Sequence, residues 1–291
     1  MNIAVILAQK GSRHKIKNAS LTGGPESGII ANMKDAARMA ADAGPAPAAA
    51  ASSRRPDRIW EIDFLRGLSI ILMVGYHLLY DLGAMAGVKS LLGFTTDLTT
   101  LAWLAAQYFF AGLFVILSGT SSTLSRGNVR RALKLIAVAL LITGVTFFFN
   151  RAATVHFGIL HCLGVSILIY GLAFTRAKAL ACATAGAALL GLSAALPLVL
   201  KGITIGSDWL LPLGIHRPGY SSFDYFPLLP WFGIFLAGVA LGKSVYAQKR
   251  SLIPRRLPVT FINFAGRHSL LIYIVHQPII LAALYLLGLV R

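Results

Sequence analysis

The sequence predicts an all-α fold, a polytopic integral membrane bundle of about seven transmembrane helices. Three observations carry that reading. Of 291 residues, 56% are hydrophobic and 13% charged, and the mean hydropathy is +0.72, too apolar for a surface that water must wet. Apolar runs of about twenty residues recur, each long enough at ~1.5 Å per residue to cross a hydrocarbon core of roughly 30 Å. The 27 Lys and Arg against 10 Asp and Glu give a net charge of +17, but they lie in a tail and in short loops between the runs. That placement is explained by topology rather than by nucleic acid as a partner. A water-soluble enzyme and a wholly disordered chain are both excluded.

Residues 1–57 carry Lys10, Arg13, Lys15, Lys17, Lys34, Arg38, Arg54 and Arg55 among Gly, Ser, Pro and an Ala-rich stretch at 46–51. This composition predicts a disordered basic tail. The opening run 2–8 is short and precedes the basic residues, the wrong order for a cleaved signal. Met33 and Met39 stand as alternative starts, which would make part of the tail a start-site artefact. The membrane domain is then 58–291, with spans expected near 62–83, 101–123, 132–150, 156–175, 178–200, 226–247 and 267–289.

The fourth and fifth spans are separated by a turn holding only Arg176 and Lys178 as charges, which predicts a tight hairpin. Between 201 and 225 lies the one substantial external loop, with Asp208, His216, Arg217 and Asp224 among Gly and Pro. Basic residues gather at 126–134, 176–178 and 243–267, on the side of the tail, whereas the opposite side receives Lys89, Arg151, Lys201, Arg217 and Arg291. The bias predicts a cytoplasmic N-terminus and an external Arg291. Cys162 and Cys182 both fall in apolar runs, so neither a disulfide nor a metal framework is expected.

Ionisable residues inside the spans point to function. Asp63, Arg66, His77 and Asp81 fall within about 60° of one another on the first span at ~100° per residue. A charge at the bilayer centre costs roughly 2.5–3.5 kcal/mol, so this polar stripe must face protein or a water-filled cavity. Asp63 and Arg66, one turn apart near the inner interface, read equally well as an ion pair ending the helix. His77 lies ~16 Å further along, outside the reach of that explanation. On the last span Ser269, Tyr273 and His276 share a face by spacings of four and three, with a kink at Pro278 as the plainer account. On the fourth span His156 belongs to the outer interface, and His161, one turn deeper, needs a hydrogen-bonding partner. The four histidines lie on three helices without ligand spacing, so no metal is expected. Gly112, Gly119, Gly233, Gly238 and Gly242 predict close helix approach. The serines from Ser118 to Ser122 can line a path for a polar ligand. No Walker loop, dinucleotide fingerprint or nucleophile elbow is present.

The run Trp60-Glu-Ile-Asp-Phe-Leu-Arg-Gly-Leu-Ser69, followed by Gly75-Tyr-His-Leu-Leu-Tyr-Asp81, resembles the first helix of bacterial proteins related to the heparan-α-glucosaminide N-acetyltransferase catalytic domain. The segments 110–119, 157–164 and 226–233 extend the likeness over 58–290. More distantly, Asp63, Arg66, Gly67 and His77, with Ser269, Tyr273 and His276, look like the motifs of O-antigen-type membrane acyltransferases. The animal enzymes have a histidine in the loop after the first helix; residues 84–100 hold none, and His77 is the nearest.

The resemblance implies transfer of acetyl from cytoplasmic acetyl-CoA to an amine or hydroxyl of a glycan or glycolipid on the external side of a bacterial inner membrane, with membrane lipid as surroundings. Acyl transfer needs a base and an oxyanion donor. His77 is the candidate base or nucleophile, Arg66 or Tyr273 the donors, and His276 the group that protonates the leaving thiolate or orients the acceptor. Asp63, Asp81, Ser118, His161 and Ser269 are candidate substrate- or donor-binding residues. The alternative from another class is a non-catalytic transporter or channel for a small polar solute, although the spans show no inverted repeat.

Overall fold

The computed structural model describes residues 58–203, 206–254 and 259–289. The tail, together with Arg255, Arg256 and Arg291, lies outside the described residues. Among these the helices are α1 (Trp60–Ala84), α2 (Leu101–Leu124), α3 (Asn128–Phe149), α4 (Ile159–Ile169, continued by a π-turn, Tyr170–Phe174), α5 (Ala179–Val199), α6 (Leu228–Ser244), α7 (Thr260–Arg267) and α8 (Ser269–Leu286). Helices α1, α2, α3, α5 and α8 are long and apolar enough to cross a membrane, while α4 with its π-turn and α6 are shorter apolar helices. The protein is an all-α membrane bundle. Helices satisfy their own backbone groups where lipid offers no partner, and outward residues such as Leu141, Phe148, Leu180 and Leu271 are exposed.

Helix α6 occupies the centre, packed on α2 and α5, with Phe235, Leu236 and Val239 fully buried. Glycines set these contacts. A Cβ at Gly119 would run into the carbonyl oxygen of Phe235, and one at Gly238 into that of Ile116. Gly186 and Gly233 each face the other's carbonyl oxygen at 2.9 Å, and Gly242 abuts Thr120 and Thr123. Thr120 Oγ1 donates to the Gly238 carbonyl at 2.9 Å, so backbones approach closely enough for a side chain to bridge them. Gly112 departs from the expectation: nothing lies within 4 Å of where its Cβ would be, so it mediates no approach.

The last expected span, 267–289, is matched by α8, and the short α7 precedes it as a helix that hydropathy did not predict. Gly266 and Gly67 meet backbone to backbone, each leaving no room for a Cβ against Asp63 or Ile262 of the opposite segment. This contact fixes the short α7 on α1, and the chain turns at His268 before α8 begins at Ser269. The fourth helix starts at Ile159 rather than 156, because the chain bends at His156 and Phe157, Gly158 is extended, and the Gly158 N–H is taken by His161 Nδ1 at 3.2 Å. The expected hairpin after it is tight. Lys243 at the end of α6 donates to the carbonyls of Phe174, Thr175 and Ala177 at 3.0, 2.8 and 2.6 Å. An ammonium there satisfies orphan carbonyls and complements the helix dipole.

The loop between α1 and α2 holds a two-stranded hairpin that hydropathy does not reveal, β1 (Ser90–Leu91) paired with β2 (Phe94–Thr95). Leu92 and Gly93 both have positive φ, as a two-residue hairpin turn requires. At the other end of α1, Glu61 accepts from Ser251 Oγ at 2.6 Å and the Leu252 N–H at 2.7 Å, while the Trp60 indole donates to the Ile253 carbonyl at 3.0 Å. These bonds clip the 251–253 loop to the first helix.

The glycine contacts make a testable distinction. Gly119→Ala should destabilise the protein in detergent by about 1–3 kcal/mol through backbone displacement. Gly112→Ala should be neutral or stabilising by up to about 1 kcal/mol, since Ala favours helix and meets no obstacle. Thermal unfolding of the two variants checks this.

Candidate active site

The centre of the site is a pair of imidazoles. His77 projects from α1 toward α8, where its ring lies 5.0 Å from that of His276, tilted by 54°. Four residues on, Asp81 shares the His77 face and accepts from Gln277 Nε2 at 2.7 Å. Leu82, Ile280 and Leu284 pack together beside them.

The His276 tautomer follows from its neighbour. Nδ1 lies 2.7 Å from the Tyr273 carbonyl, an acceptor only, so Nδ1 carries the proton and donates it. The lone pair is then on Nε2, which is buried and has no hydrogen-bond partner among the described residues. A buried acceptor left without a donor costs about 1–3 kcal/mol, and it is the kind of group that a reacting proton would satisfy.

Tyr273 is held in turn. Its hydroxyl donates to Asp224 Oδ2 at 2.8 Å, and the Ile159 N–H donates to the same oxygen at 2.9 Å. Asp224 thus caps the first turn of α4 with a carboxyl oxygen, where the helix N-terminus needs an acceptor. It lies in the loop outside the spans, where burial pushes its carboxyl above the ordinary range against the opposing pull of the two hydrogen bonds. The Tyr273 proton is committed to this carboxylate rather than held free for an oxyanion.

The polar stripe of α1 divides into two centres. Arg66 donates through Nη1 to Asp63 at 3.3 Å and through Nη2 to Ser121 Oγ on α2. Asp63 also pairs with Arg58 Nε at 3.4 Å. Arg66 precedes His77 by eleven residues, ~16 Å along the helix, so the guanidinium and the imidazole pair do not touch. Ser118 is buried one turn before Ser122, whose hydroxyl bonds the Ser118 carbonyl at 2.8 Å. Ser269 is buried at the start of α8, one turn before Tyr273.

His161 belongs to neither centre. Its Nδ1 accepts from Gly158, its Nε2 lies 3.1 Å from Thr143 Oγ1, and Thr143 donates to the Val155 carbonyl at 2.6 Å. Both ring nitrogens are therefore spent on joining α3 to the start of α4. His156 is exposed beside Tyr220, consistent with an interfacial residue. Sequence reasoning placed Asp224 only as a loop residue and Ser121 only within the Ser118–Ser122 run, and gave neither them nor Gln277 an individual role. The available signals were an acid set among Phe223, Tyr225 and Phe226 just before an apolar helix, and an amide next to His276 inside one.

Residues 58–278 match the family model described as heparan-alpha-glucosaminide N-acetyltransferase, catalytic. The chain belongs to this family. The matched region contains both histidines and ends just after His276 and Gln277. No curated protein and no solved structure matches the chain. Family and fold together support an integral membrane acetyltransferase.

The Tyr273 tether gives a stability prediction. Tyr273→Phe removes a hydrogen bond to a carboxylate and should cost about 1.5–3 kcal/mol. Asp224→Asn keeps an acceptor for both donors and should cost less. Unfolding midpoints in detergent order the two variants.

Proposed function

We propose that this protein transfers acetyl from cytoplasmic acetyl-CoA to an amine or hydroxyl of a glycan or glycolipid on the external side, and that His77 and His276 act together as the proton-transfer centre. The observation that carries this reading is the orphaned Nε2 of His276 on a ring whose centroid lies 5.0 Å from that of His77 inside the bundle. At a ring separation of 5.0 Å, a small rotation brings a His77 N–H onto that lone pair. The other His77 nitrogen then holds a lone pair aimed at the acceptor, and His276 stabilises the imidazolium that forms.

The acceptor oxygen or nitrogen attacks the thioester carbonyl and gives its proton to His77. A tetrahedral intermediate collapses, the carbon–sulfur bond breaks, and the thiolate of CoA takes the proton back from the histidine pair. The products are the acetylated acceptor and free CoA. At the inner end Arg66, with guanidinium protons left over after Asp63 and Ser121, is suited to a donor phosphate beside the hydroxyls of the Ser118–Ser122 turn. The family supports an acetyltransferase; the donor, the direction of transfer and the acceptor are our reading.

Purified protein in liposomes with labelled acetyl-CoA and a panel of amino and neutral glycans tests it. The wild type should label an acceptor. His77→Ala should lower transfer at least about 10²-fold without lowering the unfolding midpoint, and His156→Ala should match the wild type. Unimpaired transfer by His77→Ala would overturn the assignment.

A further inference from the structure

The short helix α7 differs from every span around it. Its eight residues reach about 12 Å, far less than a hydrocarbon core of roughly 30 Å. It ends a strongly basic stretch: residues 243–268 hold Lys243, Lys249, Arg250, Arg255, Arg256 and Arg267, with neither Asp nor Glu among them.

One side of α7 belongs to the bundle. It packs chiefly on α1, where Ala265 and Gly266 are buried and Gly266 abuts the backbone of Asp63 and Gly67. At ~100° per residue, Phe261, Phe264 and Arg267 fall on the side away from that contact. Phe261 is 71% exposed and Phe264 52%, so the described chain leaves both rings largely uncovered. The depth of α7 is fixed twice. Gly266 meets the first two turns of α1, and the spanning helix α8 opens at Ser269 just after the turn at His268. Two rings in water forgo their burial, whereas hydrocarbon would strand Arg267 and the unpaired end groups of the helix. The headgroup boundary suits both.

The charges select the kind of headgroup. Lys249, Arg250 and Arg267 are exposed, and among the described residues none of them lies within ion-pair distance of a carboxylate. Arg267 donates Nε to the Asn263 carbonyl at 3.2 Å, which leaves its terminal nitrogens for a partner. The Glu61 bonds to Ser251 and Leu252 keep the chain just after Lys249 and Arg250 against the same end of α1. Topology accounts for basic loops, but not for two exposed phenylalanines on a helix too short to span.

We infer that α7 is an in-plane helix that docks on anionic phospholipid. Phe261 and Phe264 sit among the upper acyl chains, and Arg267, with Lys249 and Arg250, takes the headgroup phosphate through charge-assisted bonds. The inference stands on α7 and the loop before it, and is independent of the acetyl-transfer reading.

Thermal unfolding of the purified protein in detergent, titrated with phosphatidylglycerol or with phosphatidylcholine of the same chain length, tests it. Phosphatidylglycerol should raise the unfolding temperature to a plateau, and phosphatidylcholine should not. Arg267→Gln should require roughly fivefold more phosphatidylglycerol for half the effect, the loss of one basic contact. Phe261→Ser should also need more, and since both side chains are exposed the variants keep the fold. Lys178→Gln, which removes an exposed charge between α4 and α5, should titrate as the wild type. Depth has its own probe in Phe261→Cys labelled with bimane, because Cys162 and Cys182 are buried. In vesicles of mixed phosphatidylcholine and phosphatidylglycerol, brominated acyl chains should quench the label and aqueous iodide should not. Equal effects of the two lipids, wild-type titration by both Arg267→Gln and Phe261→Ser, or as large a loss in Lys178→Gln would overturn the inference. A label quenched by iodide and untouched by brominated lipid would overturn it as well.

Discussion

Hydrocarbon offers no hydrogen bonds, so every polar group that this chain carries into the bundle must be answered by another part of the chain. That constraint decides where the helices sit. Asp224 answers the first turn of α4 and the Tyr273 hydroxyl together, tying the loop before α6 to α4 and α8. Lys243 answers the carbonyls at the α4–α5 hairpin, Gln277 answers Asp81, and Ser121 with Asp63 answers Arg66. The glycine contacts of α2, α5 and α6 provide the van der Waals counterpart, since apolar burial adds little between helices already in lipid. Among the described residues four buried side-chain atoms are left unanswered, Asn128 Oδ1, Asn263 Oδ1, Gln277 Oε1 and His276 Nε2, and the last belongs to a ring 5.0 Å from a second imidazole.

The two centres of α1 divide the work that acyl transfer requires. A guanidinium among hydroxyls at one end suits the phosphates of a donor. An imidazole pair about 16 Å away along the same helix suits the exchange of a proton at the reacting carbon. The backbone contact of Gly67 with Gly266 and the Glu61 clip to residues 251–253 hold the N-terminal half of α1 in place.

Much of this was legible because membrane helices expose their logic in composition. The apolar runs located each of the long helices to within a few residues, and the spacing of Ser269, Tyr273 and His276 put them on one helix. Gly119, Gly233, Gly238 and Gly242 lie at close contacts, as small residues in spans suggest. Periodicity alone left out what depends on partners distant in sequence. It placed Arg66 and His77 on one stripe, but not the Ser121 and Asp63 bonds that engage the arginine apart from the histidine. Asp224 looked like an ordinary loop acid, since nothing local says that it is 49 residues from the tyrosine it binds. The short α7 is too polar and the hairpin at 90–95 too brief for hydropathy to show, the hairpin's strands being only two residues each.

The claim on which the account turns is that His77 and His276 work as one unit. Acetyl-transfer rates of His77→Gln, His276→Gln and the double variant, measured on protein shown to be folded, test it most directly. The account predicts that each single variant loses most of the activity and that the double is no worse than the more damaged single, because groups acting together are not additive. Losses that multiply in the double variant, or wild-type transfer by either single variant, would contradict it.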